Sequence, residues 1–154
     1  MQVAQWNYER NNTSLDMELE NRMLAEEAQE FKDGLNMYFE YETSKKGYRD
    51  DAIVEMVDAW ADYQFVLQGT MYKTLGSLYT PDLSEYVQQD RFMYHILTVS
   101  LDILPETLNE CLQAVIDANK AKGTTKIDGK VQKGESWIDP KETIRDILKD
   151  AGDL

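Results

Sequence analysis

Between its prolines the chain alternates apolar and polar residues with the period of a helix, and long windows hold neither Gly nor Pro. From about Leu15 to Glu42, Leu24, Ala28, Phe31, Leu35 and Tyr38 recur at three- and four-residue steps. That spacing predicts an amphipathic helix with one core-facing stripe. Thr13 or Ser14 serves as its cap, with Asp16 and Glu18 in the first turn, and Ser44-Lys45-Lys46-Gly47 ends it. A second helix is predicted from Arg49 to Leu75, stopped by Gly76. Its main stripe is Ile53, Met56, Val57, Trp60, Leu67 and Met71. Pro81 opens a third helix over Asp82–Ile103, and Pro105 a fourth that reaches Lys122 before Gly123. Thr124–Asp139 reads as a loop, and a short last helix covers Lys141–Asp150. The pattern predicts one all-α domain over residues 1–154, a bundle of helices joined by short loops.

Composition narrows the chemistry. The 154 residues are 42% hydrophobic and 29% charged, enough apolar material to bury a core. Acids outnumber bases 29 to 16, for a net charge of −13. Such a surface argues against general nucleic-acid binding, which needs basic residues to neutralise phosphates. Cys111 stands alone, so neither an intramolecular disulfide nor a cysteine zinc site is expected. The first residues lack the apolar core of a signal peptide, and no run approaches the roughly 20 apolar residues of a membrane span. A soluble, cytoplasmic protein is the expectation. The charge is also unevenly spread: residues 119–134 carry Lys120, Lys122, Lys126, Lys130 and Lys133 against Asp128 alone. An acidic bundle therefore ends in one compact basic segment, suited either to solvent or to clamping an anion.

The acids of the two long helices are patterned. Projected at about 100° per residue, Glu26 and Glu30 fall opposite the first stripe, beside Leu19, Met23 and Met37, with Glu27 between the two faces. On the second helix Glu55, Asp58 and Asp62 lie together, near Phe65, Val66 and Gly69. Like charges three or four residues apart destabilise a bare helix, and burying them costs more unless a cation compensates. Two antiparallel helices presenting Glu27-x-x-Glu30 and Glu55-x-x-Asp58 to each other would offer four hard oxygen ligands suited to Mg²⁺ or Mn²⁺. A ferritin-type iron site needs Glu-x-x-His on two helices, and the only histidine, His95, follows Phe92 at that spacing.

The order Glu26-Glu27-Ala28-Gln29-Glu30, a spacer over Phe31–Val54, then Glu55-Met56-Val57-Asp58 reads E-E-x-x-E … E-x-x-D. It resembles the all-α nucleoside triphosphate pyrophosphohydrolase superfamily, which includes MazG proteins, dimeric dUTPases and phosphoribosyl-ATP pyrophosphohydrolases. The run from Asp58 to Thr70 is similar to the MazG-like branch. So are Asn119-Lys120-Ala121-Lys122 and Asp128-Gly129-Lys130-Val131-Gln132-Lys133, which match its N-x-x-K and D-G-K-V-x-K stretches. The resemblance covers about residues 15–75 and 115–150 and departs over Tyr72–Pro105. It implies a MazG-like bundle whose two long antiparallel helices carry the acidic motifs. It also implies Mg²⁺-dependent cleavage of a nucleoside triphosphate to the monophosphate and pyrophosphate. Carried over by position, Glu27, Glu30, Glu55 and Asp58 would hold the metal, and Glu26 would orient or deprotonate the attacking water. Asp62 would be an additional or supporting ligand. Asn119, Lys122, Lys130 and Lys133 would grip the phosphates.

For the nucleobase, Trp6, Tyr8, Trp60, Tyr63 and Trp137 are the stacking candidates. Because both long helices are apolar on two sides, a homodimer or homotetramer is expected, as the resemblance also implies. Two other readings compete with the enzyme. One is a non-catalytic acidic interaction protein of the DNA-mimic type, which the net charge favours. The other is a nucleotide sensor on the same fold.

Overall fold

Helix ends and helix faces decide this structure, because helices make up most of it. The computed structural model describes residues 2–44 and 48–154, without the side chains of residues 43 and 44. The element order is α1 (Gln2–Glu9), α2 (Met17–Ser44), α3 (Arg49–Thr74), α4 (Ser84–His95), α5 (Pro105–Lys120), β1 (Lys126–Ile127), β2 (Lys130–Val131) and α6 (Lys141–Asp150). Among the described residues no helix is long and apolar enough to cross a membrane.

α2 begins two residues later than the sequence pattern suggests. Its cap is Asp16, whose carboxylate accepts the Leu19 N–H at 3.2 Å, in place of Thr13 or Ser14. The expected stop at Lys45-Lys46-Gly47 lies outside the described residues. α2 and α3 touch along their length: the start of α2 meets the end of α3 through Glu20 with Thr70 and Lys73, and Gly34 faces Ala52 and Met56. A Cβ on Gly34 would come within 2.9 Å of Met56 Cγ and 3.2 Å of Met56 N, so glycine sets how closely the two helices approach.

α3 is buried nearly all round. Ile53, Met56, Val57, Trp60 and Leu67 enter the main core as the stripe requires, but Met71 is 49% exposed. The last turn of α3 points Thr70 and Lys73 inward instead. The main core joins this stripe to Leu24 and Phe31 of α2, Met93 of α4, Leu108, Cys111 and Val115 of α5, and Ile144 and Leu148 of α6. Polar ties reinforce it. Tyr63 Oη donates to the Tyr86 carbonyl at 2.9 Å, Trp60 Nε1 donates to Asp90 at 3.2 Å, and Arg145 donates to Asp51 at 2.8 Å.

Two expectations fail here. The third helix does not run unbroken to Ile103. α4 passes at Ile96–Ser100 into one π-helical turn, and the chain breaks at Asp102, which takes a left-handed φ of 56°. The loop over Thr124–Asp139 contains a β-hairpin pairing Lys126 with Val131 and Ile127 with Lys130. Its two-residue turn, Asp128-Gly129, has φ of 51° and 80°, which the right-handed twist of a tight hairpin demands. Gly129 also lies against Leu19, where a Cβ would sit 2.9 Å from Leu19 Cδ2.

Finally, residues 2–9 form a helix that the apolar pattern does not signal. α1 is too short and too polar to stand alone. Tertiary contact holds it. Val3 and Trp6 join Phe65, Ile116 and Val131 in a second apolar cluster, and Trp6 meets Phe65 edge to face at 5.0 Å. This cluster covers within the chain the second apolar side of α3, whereas Met23 and Met37 on the second side of α2 stay partly exposed. Truncating Trp6, which is 6% exposed, to Ala is expected to cost about 3–5 kcal/mol. Denaturant unfolding checks this, and a loss under about 1 kcal/mol would show that α1 is not part of the cooperative fold.

Candidate functional site

A cavity of about 310 Å³ opens between α2 and α3 on one side and α1, the end of α5, the hairpin and the approach to α6 on the other. Its acidic wall follows from helix geometry. Glu26, Glu27 and Glu30 project from adjacent turns of α2, and Asp58 and Asp62 from adjacent turns of α3. Asp58 is only 5% exposed, and Glu27 and Asp62 are partly buried, whereas Glu26 and Glu30 lie exposed at the rim. The expected semi-buried acidic face holds for Asp58 and Asp62 of α3, but not for Glu26 and Glu30, which lie exposed; on α2 it is Glu27, placed by spacing between the two faces, that is partly buried.

Electrostatic strain collects at those three. Burial first, then repulsion from Glu30 and Asp58, raises the Glu27 carboxyl to about 8. Burial first, then Asp62, raises Asp58 to about 8. Burial first, then Glu27, raises Asp62 to about 8. Glu27 Oε2 and Asp58 Oδ1 are buried with no hydrogen-bond partner among the described residues. Unpartnered buried carboxylate oxygens are costly; holding a proton relieves them, as the raised values express, and so would a hard divalent cation. The donor chemistry therefore fits Mg²⁺ or Mn²⁺. The side chains are not drawn together for it: among the described residues no three His, Cys, Asp or Glu converge closely enough to hold an ion.

The basic wall faces this cluster. Lys122 follows α5, Lys130 lies in β2, and Lys133 follows the hairpin; all three line the cavity. Burial lowers the Lys122 ammonium, and Asp62 opposes that fall. Lys130 lies 3.5 Å from Glu26 at the rim. Lys133 sits over the Trp137 ring at 4.0 Å, and Trp137 also lines the cavity. Arg10 fixes the segment that carries these lysines. Its guanidinium stacks on Trp6 at 4.5 Å and donates to the carbonyls of Lys120, Lys122 and Gly123, capping the end of α5.

Two expected site residues sit differently from the rest. Glu55 does not line this cavity. It borders a neighbouring shallow groove with Glu30 and forms an ion pair at 3.1 Å with Lys141, which lines both. Asn119 does line the cavity, but it is buried and donates from Nδ2 to the Val115 carbonyl at 3.0 Å, while its backbone carbonyl accepts from Trp6 Nε1 at 2.7 Å. Part of its capacity thus anchors α1 to α5.

Among the aromatic candidates, Trp6 and Trp137 line the cavity. Trp60 and Tyr63 are held in the main core and Tyr8 is exposed. Sequence reasoning did not assign Asn7, Asn12, Glu20 and Lys73 to the site, and all four line the cavity. Their one legible signal was a glutamate and a lysine on otherwise inward-facing positions.

The raised carboxyl groups set a pH dependence. Their ordinary values are 3.8 for Asp and 4.5 for Glu, and the folded values are about 8. Across that window the folded chain holds protons that the unfolded chain releases, so stability falls as pH rises. The melting temperature of metal-free protein should therefore drop from about pH 5 to about pH 8, and millimolar Mg²⁺ should restore more of it at the higher pH. A melting temperature that rises over this range, or an equal Mg²⁺ effect at both ends, contradicts the assignment. No protein-family model, curated protein or solved structure matches the chain, so its function is read from the geometry of this site.

Proposed function

We propose that this chain is a Mg²⁺-dependent nucleoside triphosphate pyrophosphohydrolase of the MazG-like all-α kind, with α2 and α3 as its two long antiparallel helices. One observation carries the reading: carboxylates from two helices and lysines from a separate segment line opposite walls of one cavity. A triphosphate with its metal needs that pairing of charges, and simple acidic surfaces lack it. A nucleic-acid mimic would turn its acids outward, whereas Asp58 is buried and Asp62 lies opposite Lys122.

In this reading Glu27, Glu30 and Asp58 would hold Mg²⁺, joined by Glu55 once Lys141 releases it. Mg²⁺ would neutralise phosphate charge and make a bound water more acidic. Lys122, Lys130 and Lys133 bind the phosphate oxygens as point charges, with Asn119 supporting them. Lys130 exchanges its contact with Glu26 for phosphate, and Glu26 then accepts the proton of the attacking water. Water adds at phosphorus, the α–β anhydride bond breaks, and monophosphate and pyrophosphate leave. A homodimer or homotetramer belongs to the same proposal, and a monomer by light scattering at micromolar concentration would remove it.

The Glu55–Lys141 ion pair favours one second reading, a sensor that binds nucleotide without turnover. Product chromatography separates the two. With Mg²⁺ and a panel of ribo- and deoxynucleoside triphosphates, monophosphate plus pyrophosphate is expected, and EDTA should abolish both. Glu30→Gln and Asp58→Asn should each lower kcat by at least about a hundredfold while the helical circular dichroism stays intact. Full activity in both variants would remove the metal assignment. Nucleotide binding without product would favour the sensor.

A further inference from the structure

Lys141 opens α6 and lines both the cavity and the neighbouring acidic groove. Its ammonium lies 3.1 Å from Glu55 Oε1 and has no second side-chain partner among the described residues. The two side chains are 35% and 37% exposed, so the remaining N–H groups of the ammonium are not sealed from a ligand.

A lysine is poorly placed there for the helix itself, because the positive end of the helix dipole favours acids in the first turn. Nor does the pair hold α6 in position. Ile144 and Leu148 are fully buried in the main core, and Arg145 donates to Asp51 at 2.8 Å, one turn away on both helices. A part-exposed ion pair contributes little to stability. Lys141 can therefore let go of Glu55 without undocking α6.

The surrounding carboxylates indicate when it lets go. The Lys141 charge acts on Asp58 and Asp139 as well as on Glu55. Lys141 thus supplies a single positive charge to the α3 half of the acidic set. A divalent cation held by Glu55 and Asp58 would repel that ammonium. Lysine carries its charge on a flexible four-carbon stem, so it can turn from the groove into the cavity it already lines. The anion that enters there with the metal is the triphosphate.

Resting on the pyrophosphohydrolase reading above, we propose that Lys141 is a further phosphate-binding lysine: at rest it holds Glu55, and when Glu55 turns to the metal it grips the triphosphate. Metal and phosphate binding are then coupled through one side chain. Without phosphate, binding of Mg²⁺ strands the Lys141 charge; with phosphate, that charge gains a partner. Coupling of this kind is reciprocal.

Calorimetry on the full chain tests this with two probes, Mg²⁺ alone and pyrophosphate in saturating Mg²⁺, for the wild type, Lys141→Met and Arg145→Met. Lys141→Met should bind Mg²⁺ alone at least about fivefold more tightly and pyrophosphate at least about tenfold more weakly. The opposite signs mark the proposal, because a merely structural loss weakens both. Arg145→Met removes the parallel ion pair and should leave both affinities within about twofold of wild type. For any triphosphate that the wild type hydrolyses, Lys141→Met should act mainly by raising KM. Unchanged pyrophosphate affinity in Lys141→Met, a shift of both affinities in one direction, or the same pattern in Arg145→Met would overturn the inference. The pyrophosphohydrolase reading then stands if the wild type still releases monophosphate and pyrophosphate. If the wild type binds both probes but hydrolyses no triphosphate, the enzyme reading fails instead, and the two affinities still decide the role of Lys141. A wild type that binds neither probe overturns both.

Discussion

Carboxylates held side by side out of water are the constraint on which this structure turns. Glu27, Asp58 and Asp62 come from two helices and repel one another across a seam that is only partly wet. Nothing in a helix favours that arrangement, since spacings of three and four place like charges together. The opposite wall offsets part of the cost, because Lys122 lies where Asp62 and Glu27 feel its charge. Burial and repulsion still dominate, and the raised carboxyl groups express the balance. Such a cluster leaves buried carboxylate oxygens without a partner in the resting chain, and the proposed Mg²⁺ would supply one.

The rest of the architecture serves to enclose that cluster. Helices α2 to α6 bury the main core against α3, and the cavity lies along the side of α3 that carries Asp58, Asp62 and Phe65. Its far wall is built from chain segments remote in sequence. Trp6 packs on Phe65 and donates to Asn119, while Arg10 ties the carbonyls after α5. The hairpin presses Gly129 against Leu19 at the start of α2. Each contact positions a lysine indirectly, by fixing the backbone that bears it. The basic segment would otherwise be a solvated loop, and its compact charge would face water.

Much of the candidate site was legible because helix periodicity converts spacing into direction. Spacing put Glu26 and Glu30 on one face of the first long helix with Glu27 beside it, and Glu55, Asp58 and Asp62 together on the second; that the two groups meet required the further expectation of antiparallel packing, and the charge imbalance singled out the basic segment. Glu55 shows the limit of the method. It shares the acidic face by spacing, yet Lys141, remote in sequence, draws it to a neighbouring groove. Asn119 matches a motif, yet its side-chain amide turns back to the Val115 carbonyl of its own helix, while its backbone carbonyl accepts from Trp6. Spacing along one helix says which way a side chain leaves the axis; it does not say which distant residue competes for it.

The sequence by itself determined the helical class, the positions of the long helices and the location of the acidic and basic segments, since these depend on local period, caps and composition. Tertiary structure decided the remainder. α1 forms because Val3 and Trp6 find a cluster, a contact that its own residues do not announce. α4 yields to a π turn and a break where the chain must return toward α5. Lys73 turns inward and Met71 outward because Glu20, on another helix, supplies the opposite charge. In each case the deciding free energy comes from a partner distant in sequence, whose approach only the folded chain brings about.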